Sequence, residues 1–192
     1  MQIWPAELEK GLFRNITLAF VGSLLLAISA KIYIPFYPVP MTMQTLVVLG
    51  LGMAYGWKLG GLTVGLYLLE GLAGFPVFSG TPEKGIGLAY MMGSTGGYLL
   101  GFILASAATG FLAERGWDRN AGTTALAMLV GNVVIYIPGL LWLAALYGWD
   151  KPIIEWGLTP FVLGDIAKIL IASALLPWCW RILGRKKSTK SD

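Results

Sequence analysis

Along this chain, long runs of apolar residues are interrupted by short polar, glycine-rich or proline-rich stretches. A helix that crosses a bilayer needs about 20 mostly apolar residues. Six candidate spans emerge, at 15–33, 42–55, 57–72, 93–113, 121–146 and 160–183, the second of them short. The pattern predicts an all-α integral membrane protein with six transmembrane helices in one domain over 1–192. With six crossings, both termini share a side. Before the first span, Met1 to Phe13 reads as an amphipathic entry segment, with Ile3, Trp4, Leu8 and Leu12 on a membrane surface. The run after Arg14 is longer than the roughly 7–15 residues of a signal-peptide core, so cleavage there is not expected.

The connections on the two sides differ. "KIYIPFYPVPMT" joins the first two spans, and Pro35, Pro38 and Pro40 stiffen it toward an extended path. "GFPVFSGTPEKGIGLAYMM" joins the third and fourth. It is long, yet it keeps Phe75, Val77, Phe78, Ile86, Leu88 and Tyr90. A long connection this apolar is expected to pack as a lid. Small residues mark helix contacts: Gly93, Gly97, Gly101 and Ala105 in the fourth span, and Gly61 and Gly65 in the third. Ala19, Ser23 and Ala27 form a similar face on the first, which packs internally or docks another protein.

Composition agrees with the pattern: 56% of residues are hydrophobic, 12% are charged and the mean hydropathy is +0.70. Soluble domains carry about 25% charged residues. There is no histidine and one cysteine, Cys179, so neither an internal disulfide nor a zinc or iron–sulfur site is expected. The cationic residues are divided unevenly. Lys10, Arg14, Lys58, Arg115, Arg119, Arg181, Arg185, Lys186, Lys187 and Lys190 fall on the side of the termini, against Lys31, Lys84 and Lys151 opposite. This bias makes both termini cytoplasmic. The tail "RILGRKKSTK" is expected to lie against anionic lipid, not nucleic acid.

One segment departs from the apolar rule. "LTPFVLGDIAKILIASALLPWCW" carries Asp165 and Lys168 inside the sixth span. Thr159-Pro160 reads as its N-cap and first helical residue. Spacing i, i+3 puts both charges on one helix face. Each costs roughly 2.5–3.5 kcal/mol in mid-helix lipid, so both are expected to face the bundle or an outward cavity. Two readings follow: an ion pair locking the helix, or a ligand site where Lys168 meets an anionic group and Asp165 accepts N–H or O–H bonds. Thr42, Gln44, Thr45, Glu70, Tyr90, Tyr98 and Asn132 are further candidates for such a cavity, with Tyr33, Phe36, Tyr37 and Phe78 as its aromatic walls. The chain has no P-loop pattern, no carboxylate cluster and no GxSxG elbow, so no enzymatic activity, metal or cofactor is expected. Uphill transport requires energy from a partner or an ion gradient.

Four blocks in order, "PVPMTMQTLVVLGLGMAYG", "GLYLLEGLAGFPVFSG", "GSTGGYLLGF" and "FVLGDIAKI", resemble the BioY family. These are the biotin-specific substrate-binding subunits, or S components, of energy-coupling factor (ECF) vitamin transporters. The resemblance covers nearly all of the first to sixth spans. It implies an ECF S-component-like fold and high-affinity capture of biotin from the outer face of a bacterial or archaeal cytoplasmic membrane. It also implies partners: an ECF transmembrane coupling subunit and two ATPases. The family's aspartate and lysine map onto Asp165 and Lys168 as biotin contacts. Gln44, Tyr98 and Asn132 are added by position. Ala19, Ser23 and Ala27 match the helix 1 face that docks the coupling subunit, with serine in place of one alanine. The alternatives are an S component for thiamin or riboflavin, or a membrane scaffold in which Asp165 and Lys168 are structural glue.

Overall fold

Helices begin and end close to where the hydropathy changes, but the turns between them are set by a few particular residues. The structure, a computed structural model, describes residues 11–188. Helix α1 spans Gly11–Lys31 and is followed by β1 (Tyr33–Ile34) and β2 (Met41–Thr42), then α2 (Gln44–Leu72) and the short α3 (Gly87–Met91). Next come α4 (Gly96–Glu114), α5 (Ala121–Tyr147), the short α6 (Ile153–Gly157), a 3₁₀ turn (Thr159–Phe161) and α7 (Val162–Ser188). Five of these helices are long and apolar enough to cross a membrane.

The second of those five is a hairpin. Gly56 sits at φ 81°, ψ 172°, outside helical space, and splits α2 into arms 44–55 and 57–72. A positive φ is readily adopted only by glycine. The arms fold back closely enough that a Cβ on Gly60 would lie 2.9 Å from the Gly52 Cα. The expected second and third spans are therefore present as antiparallel partners, and the chain forms a six-rod membrane bundle.

The proline-rich connection after α1 does run extended, and it closes on itself. β1 and β2 pair antiparallel, Tyr33 with Thr42 and Ile34 with Met41. Ser94 Oγ donates to Pro38 O at 2.6 Å, tying this hairpin to the entrance of α4. The long connection after α2 is packed, as its composition predicts. Phe78 is fully buried, stacked on Tyr90 at 4.8 Å and edge-on to Tyr67 at 5.5 Å.

Several boundaries differ from expectation. Thr159 does not cap the last helix: it opens the 3₁₀ turn, and its Oγ1 donates to Ile154 O at 3.2 Å. Helix α6 was not expected, because five residues are too few to display a helical period. Gly93 precedes α4, and its carbonyl accepts from Trp142 Nε1 at 2.8 Å. Gly65 has nothing within 4 Å of where a side chain would start, so it faces outward rather than into a helix contact. The close approaches are made by Gly52, Gly60, Gly97, Gly101 and Gly110 instead. Of the amphipathic N-terminal segment, only Gly11, Leu12 and Phe13 lie within the described residues, the last two exposed. The end of the basic tail also lies outside them.

Lys31, at the end of α1, bonds the packed connection, whereas the Trp57–Glu114 and Trp180–Asp118 bonds lie at the opposite end. Lys58, Arg115 and Arg119 belong to that second end. The middle of the bundle is solid. Leu49, Met53, Met128, Ser106 and Thr109 are 0–1% exposed, and Thr109 Oγ1 donates across to Leu49 O at 3.3 Å.

In the turn between α4 and α5, Asp118 is fully buried, with one carboxylate oxygen accepting from Trp180 Nε1 at 2.6 Å and the other without a hydrogen-bond partner among the described residues. Burial pushes this carboxyl above its ordinary range, against the opposing pull of the indole N–H. A carboxyl raised in the folded state binds more protons there than in the unfolded chain. Its contribution is favourable at acid pH and is lost as pH rises above about 4 through the raised folded value. The melting midpoint of Asp118→Asn relative to the parent should therefore climb as pH rises from about 4 to 7. A constant difference across that range would show that Asp118 titrates normally.

Candidate ligand-binding site

A cavity of about 560 Å³, its mouth included, lies at the Lys31 end, among α2, α4, α5, α7 and the two long connections. Its walls are mainly apolar: Val39, Pro40 and Met41 from the β hairpin, Phe78 from the lid, Leu99 and Phe102 from α4, Ile135 from α5, and Phe161. A mainly apolar lining with a few polar anchors is the character of small-molecule sites.

The two charged groups of the lining are on the α7 wall. Because α7 starts at Val162, Asp165 and Lys168 lie only about 4 and 9 Å along it at 1.5 Å per residue. Each is 6% exposed and both line the cavity. Lys168 Nζ stands 3.2 Å from Asp165 Oδ1 and donates to Thr45 Oγ1 at 2.8 Å. Tyr136 OH donates to the other oxygen, Asp165 Oδ2. The two charges therefore pair with each other and also face the cavity, which joins the two readings that the sequence kept apart. An ammonium has three donors. Two are taken by Thr45 and Asp165, leaving one for the cavity.

Gln44 and Tyr98 also line the cavity. Gln44 Nε2 donates to Tyr67 OH at 2.8 Å, and Tyr67 OH donates to Val77 O at 3.0 Å, so the start of α2 supports the lid. Tyr98 OH donates to Gly157 O at 2.8 Å, which fixes α6 against α4. Thr42, Thr45, Tyr90 and Phe78 are in the lining too. Asn132 is not. It is buried on α5 one turn below Tyr136, farther from the mouth. Glu70 is also elsewhere: its two oxygens accept from Ser23 Oγ at 2.8 and 2.9 Å. Tyr33, Phe36 and Tyr37 stand outside the lining, although Phe36 packs edge-on to Phe161 at 6.4 Å.

Tyr136, Phe161 and Phe102 are lining residues that sequence reasoning missed. Each sits in or beside an apolar run, where an aromatic residue carries no signal of its direction. For Tyr136, the four-residue spacing from Asn132 was the available clue.

The lid is held by α1. Lys31 Nζ donates to Phe78 O at 2.9 Å, Thr81 O at 3.2 Å and Thr81 Oγ1 at 2.9 Å. Phe78 and Ser79, the next residue, line the cavity, so this ammonium fastens the segment that covers it. On the other side of α1, the small-residue face is only partly open. Ser23 is buried against Glu70, while Ala19 and Ala27 are half-buried. The outward surface of α1 is made by Phe20, Leu24, Leu25 and Ile28.

Comparison with known proteins gives a consistent result. The sequence profile described as "BioY family" matches residues 5–185. A probable biotin transporter BioY from Pyrococcus horikoshii is 35% identical over 159 residues, covering 83% of this chain and 91% of that protein. A biotin transporter BioY from Thermotoga maritima is 34% identical over 166 residues, covering 84% and 93%. Among solved structures, the S-component for biotin from an ECF-type ABC transporter superposes with a TM-score of 0.75. It shares 23% sequence identity, and the match covers 92% of this chain and 95% of that one. At that identity the structural match shows the fold.

Proposed function

The chain belongs to the BioY family, and we propose that it is the membrane-embedded biotin-binding subunit of an ECF-type transporter. The observation that carries this reading is the Asp165–Lys168 pair lining an otherwise apolar, lidded cavity. Biotin has a carboxylate and a carbonyl for the spare donor of Lys168, ureido N–H groups for Asp165, and fused rings and an alkyl chain for the aromatic walls. Gln44 and Tyr98 border the same space, whereas Asn132 is buried on α5 outside its lining. The chain binds and carries, and catalyses nothing. Energy comes from a coupling subunit and its ATPases. The basic end of the bundle, with both termini, faces the cytoplasm across the cytoplasmic membrane, and the cavity opens outward. Because Ser23 is engaged by Glu70, contact with the coupling subunit falls to Ala19, Ala27 and the exposed apolar side chains beside them.

The test is ligand identification. Mass spectrometry of the molecule released on denaturing the purified protein should find biotin, and labelled biotin should be displaced by biotin but not by thiamin or riboflavin. Displacement by either of those two, or no retained or bound biotin, overturns the assignment.

Lys31 gives a separate expectation. Hydrogen bonds to a charged group contribute about 1.5–3 kcal/mol each. Lys31→Met should free the lid and speed biotin dissociation roughly tenfold or more, with a smaller change in the association rate. An unaltered dissociation rate in stopped-flow exchange would mean that the lid closes without this lysine.

A further inference from the structure

At the end of the bundle opposite the cavity, a shallow apolar groove of about 660 Å³ is lined by Trp57, Ala107, Ala108, Phe111, Leu112 and Val130. The four α4 residues are spaced i, i+1, i+4, i+5 and share one helix face. Two alanines form the floor, and two aromatic rings stand at its head. Each ring carries a cation. Lys58 Nζ lies 5.3 Å from the Trp57 ring centroid. The Arg115 guanidinium lies 3.3 Å from that of Phe111, and its Nη1 donates to Phe111 O at 3.0 Å. Neither cation forms a salt bridge with a described carboxylate. The carboxylate nearby, Glu114, accepts from the Trp57 N–H at 3.2 Å.

We propose that this groove is a binding site for one anionic phospholipid, with an acyl chain on the alanine floor and the phosphate between Lys58 and Arg115. Stacking on a ring holds a guanidinium flat while leaving its N–H edge available, and that edge matches a phosphate's oxygens. An apolar trough ending at two cations complements a lipid whose headgroup is negative overall. A zwitterionic headgroup brings its own ammonium toward Lys58 and Arg115 and is disfavoured.

The experiment is native mass spectrometry of the full chain from micelles containing equal phosphatidylglycerol and phosphatidylcholine with identical acyl chains. The parent should retain one phosphatidylglycerol in preference to phosphatidylcholine. Each of Lys58→Gln and Arg115→Gln should lower that preference roughly fivefold, as expected for one cation beside a membrane anion. Both side chains are on the surface, so folding is preserved. Ala108→Phe, which fills the floor, should lose the bound lipid with an unchanged melting midpoint. The proposal fails if the parent retains both lipids equally, if the double glutamine variant keeps the preference, or if Ala108→Phe holds phosphatidylglycerol like the parent. It also fails if millimolar inorganic phosphate displaces the lipid, since the groove would then be reading a phosphate alone.

Discussion

Lys168→Ala is expected to weaken biotin binding by about 10²–10³-fold, and Asp165→Ala by a similar factor. Truncating one partner of a charge pair buried against a ligand or partner typically costs about 2–5 kcal/mol of binding, because the survivor is left buried and unpaired, and each 1.4 kcal/mol is tenfold in affinity. Here the survivor also loses the partner that orients it toward the cavity, since Lys168 is aimed by Asp165 and Thr45, and Asp165 by Lys168 and Tyr136. Such single variants do not by themselves separate a ligand site from structural glue. The triple variant Asp165→Leu, Lys168→Met, Tyr136→Phe does. Replacing a buried pair by apolar residues is often neutral or stabilising, and the third change removes a hydroxyl that would lose its acceptor. That protein should melt within a few degrees of the parent, yet bind biotin at least about 100-fold more weakly. Calorimetric titration gives the second number, and thermal unfolding in detergent the first. If the triple variant binds biotin as the parent does, the pair is structural only.

The second large effect lies in the α4–α5 contact. Gly101→Val should yield no monodisperse protein. A Cβ at position 101 would lie 2.8 Å from Ile135 O, 2.9 Å from its Cα and 3.0 Å from Pro138 Cγ. Two of these are backbone atoms, which yield only if one helix moves from the other. Overpacking typically costs about 1–3 kcal/mol and more where the backbone must shift, against a total stability near 5–15 kcal/mol. The displaced helix α5 carries Tyr136 and Ile135, so the cavity wall is lost with the packing. Gly65→Ala is the control, because nothing lies within 4 Å of its added methyl. There, better helix propensity should leave stability equal or up to about 1 kcal/mol higher. A Gly101→Val protein that purifies and melts like the parent would show that α4 and α5 tolerate separation.

These two cases also show what was legible before any coordinates. Apolar run length gave the rods, because lipid punishes any other arrangement of unpaired backbone. Asp165 and Lys168 were legible for the same reason: a charge in oil has to face something. Direction around a helix was harder to read. Polarity singled out Asn132, which lies outside the cavity lining, and passed over Tyr136 one turn along α5, because a tyrosine in an apolar span looks like packing. Glycine spacing pointed to the α4 stripe correctly at Gly97 and Gly101, but it included Gly93, which precedes the helix, and Gly65, which faces outward. The regular spacing of small residues is shared by contact faces and lipid faces, and only the neighbouring helix distinguishes them. The bond from Ser23, in the small-residue face of α1, to Glu70, 47 residues away, has no signal in the sequence, because nothing there sets the two helices side by side.

The filled middle of the bundle makes the cavity a cul-de-sac. Leu49, Met53 and Met128 are buried in the middle of the bundle, and Thr109 is bonded across to Leu49 O. A solute that enters beneath the lid leaves by the same door. Passage straight through the bundle would require this packed layer to part, opening a seam between rods that the present arrangement keeps shut.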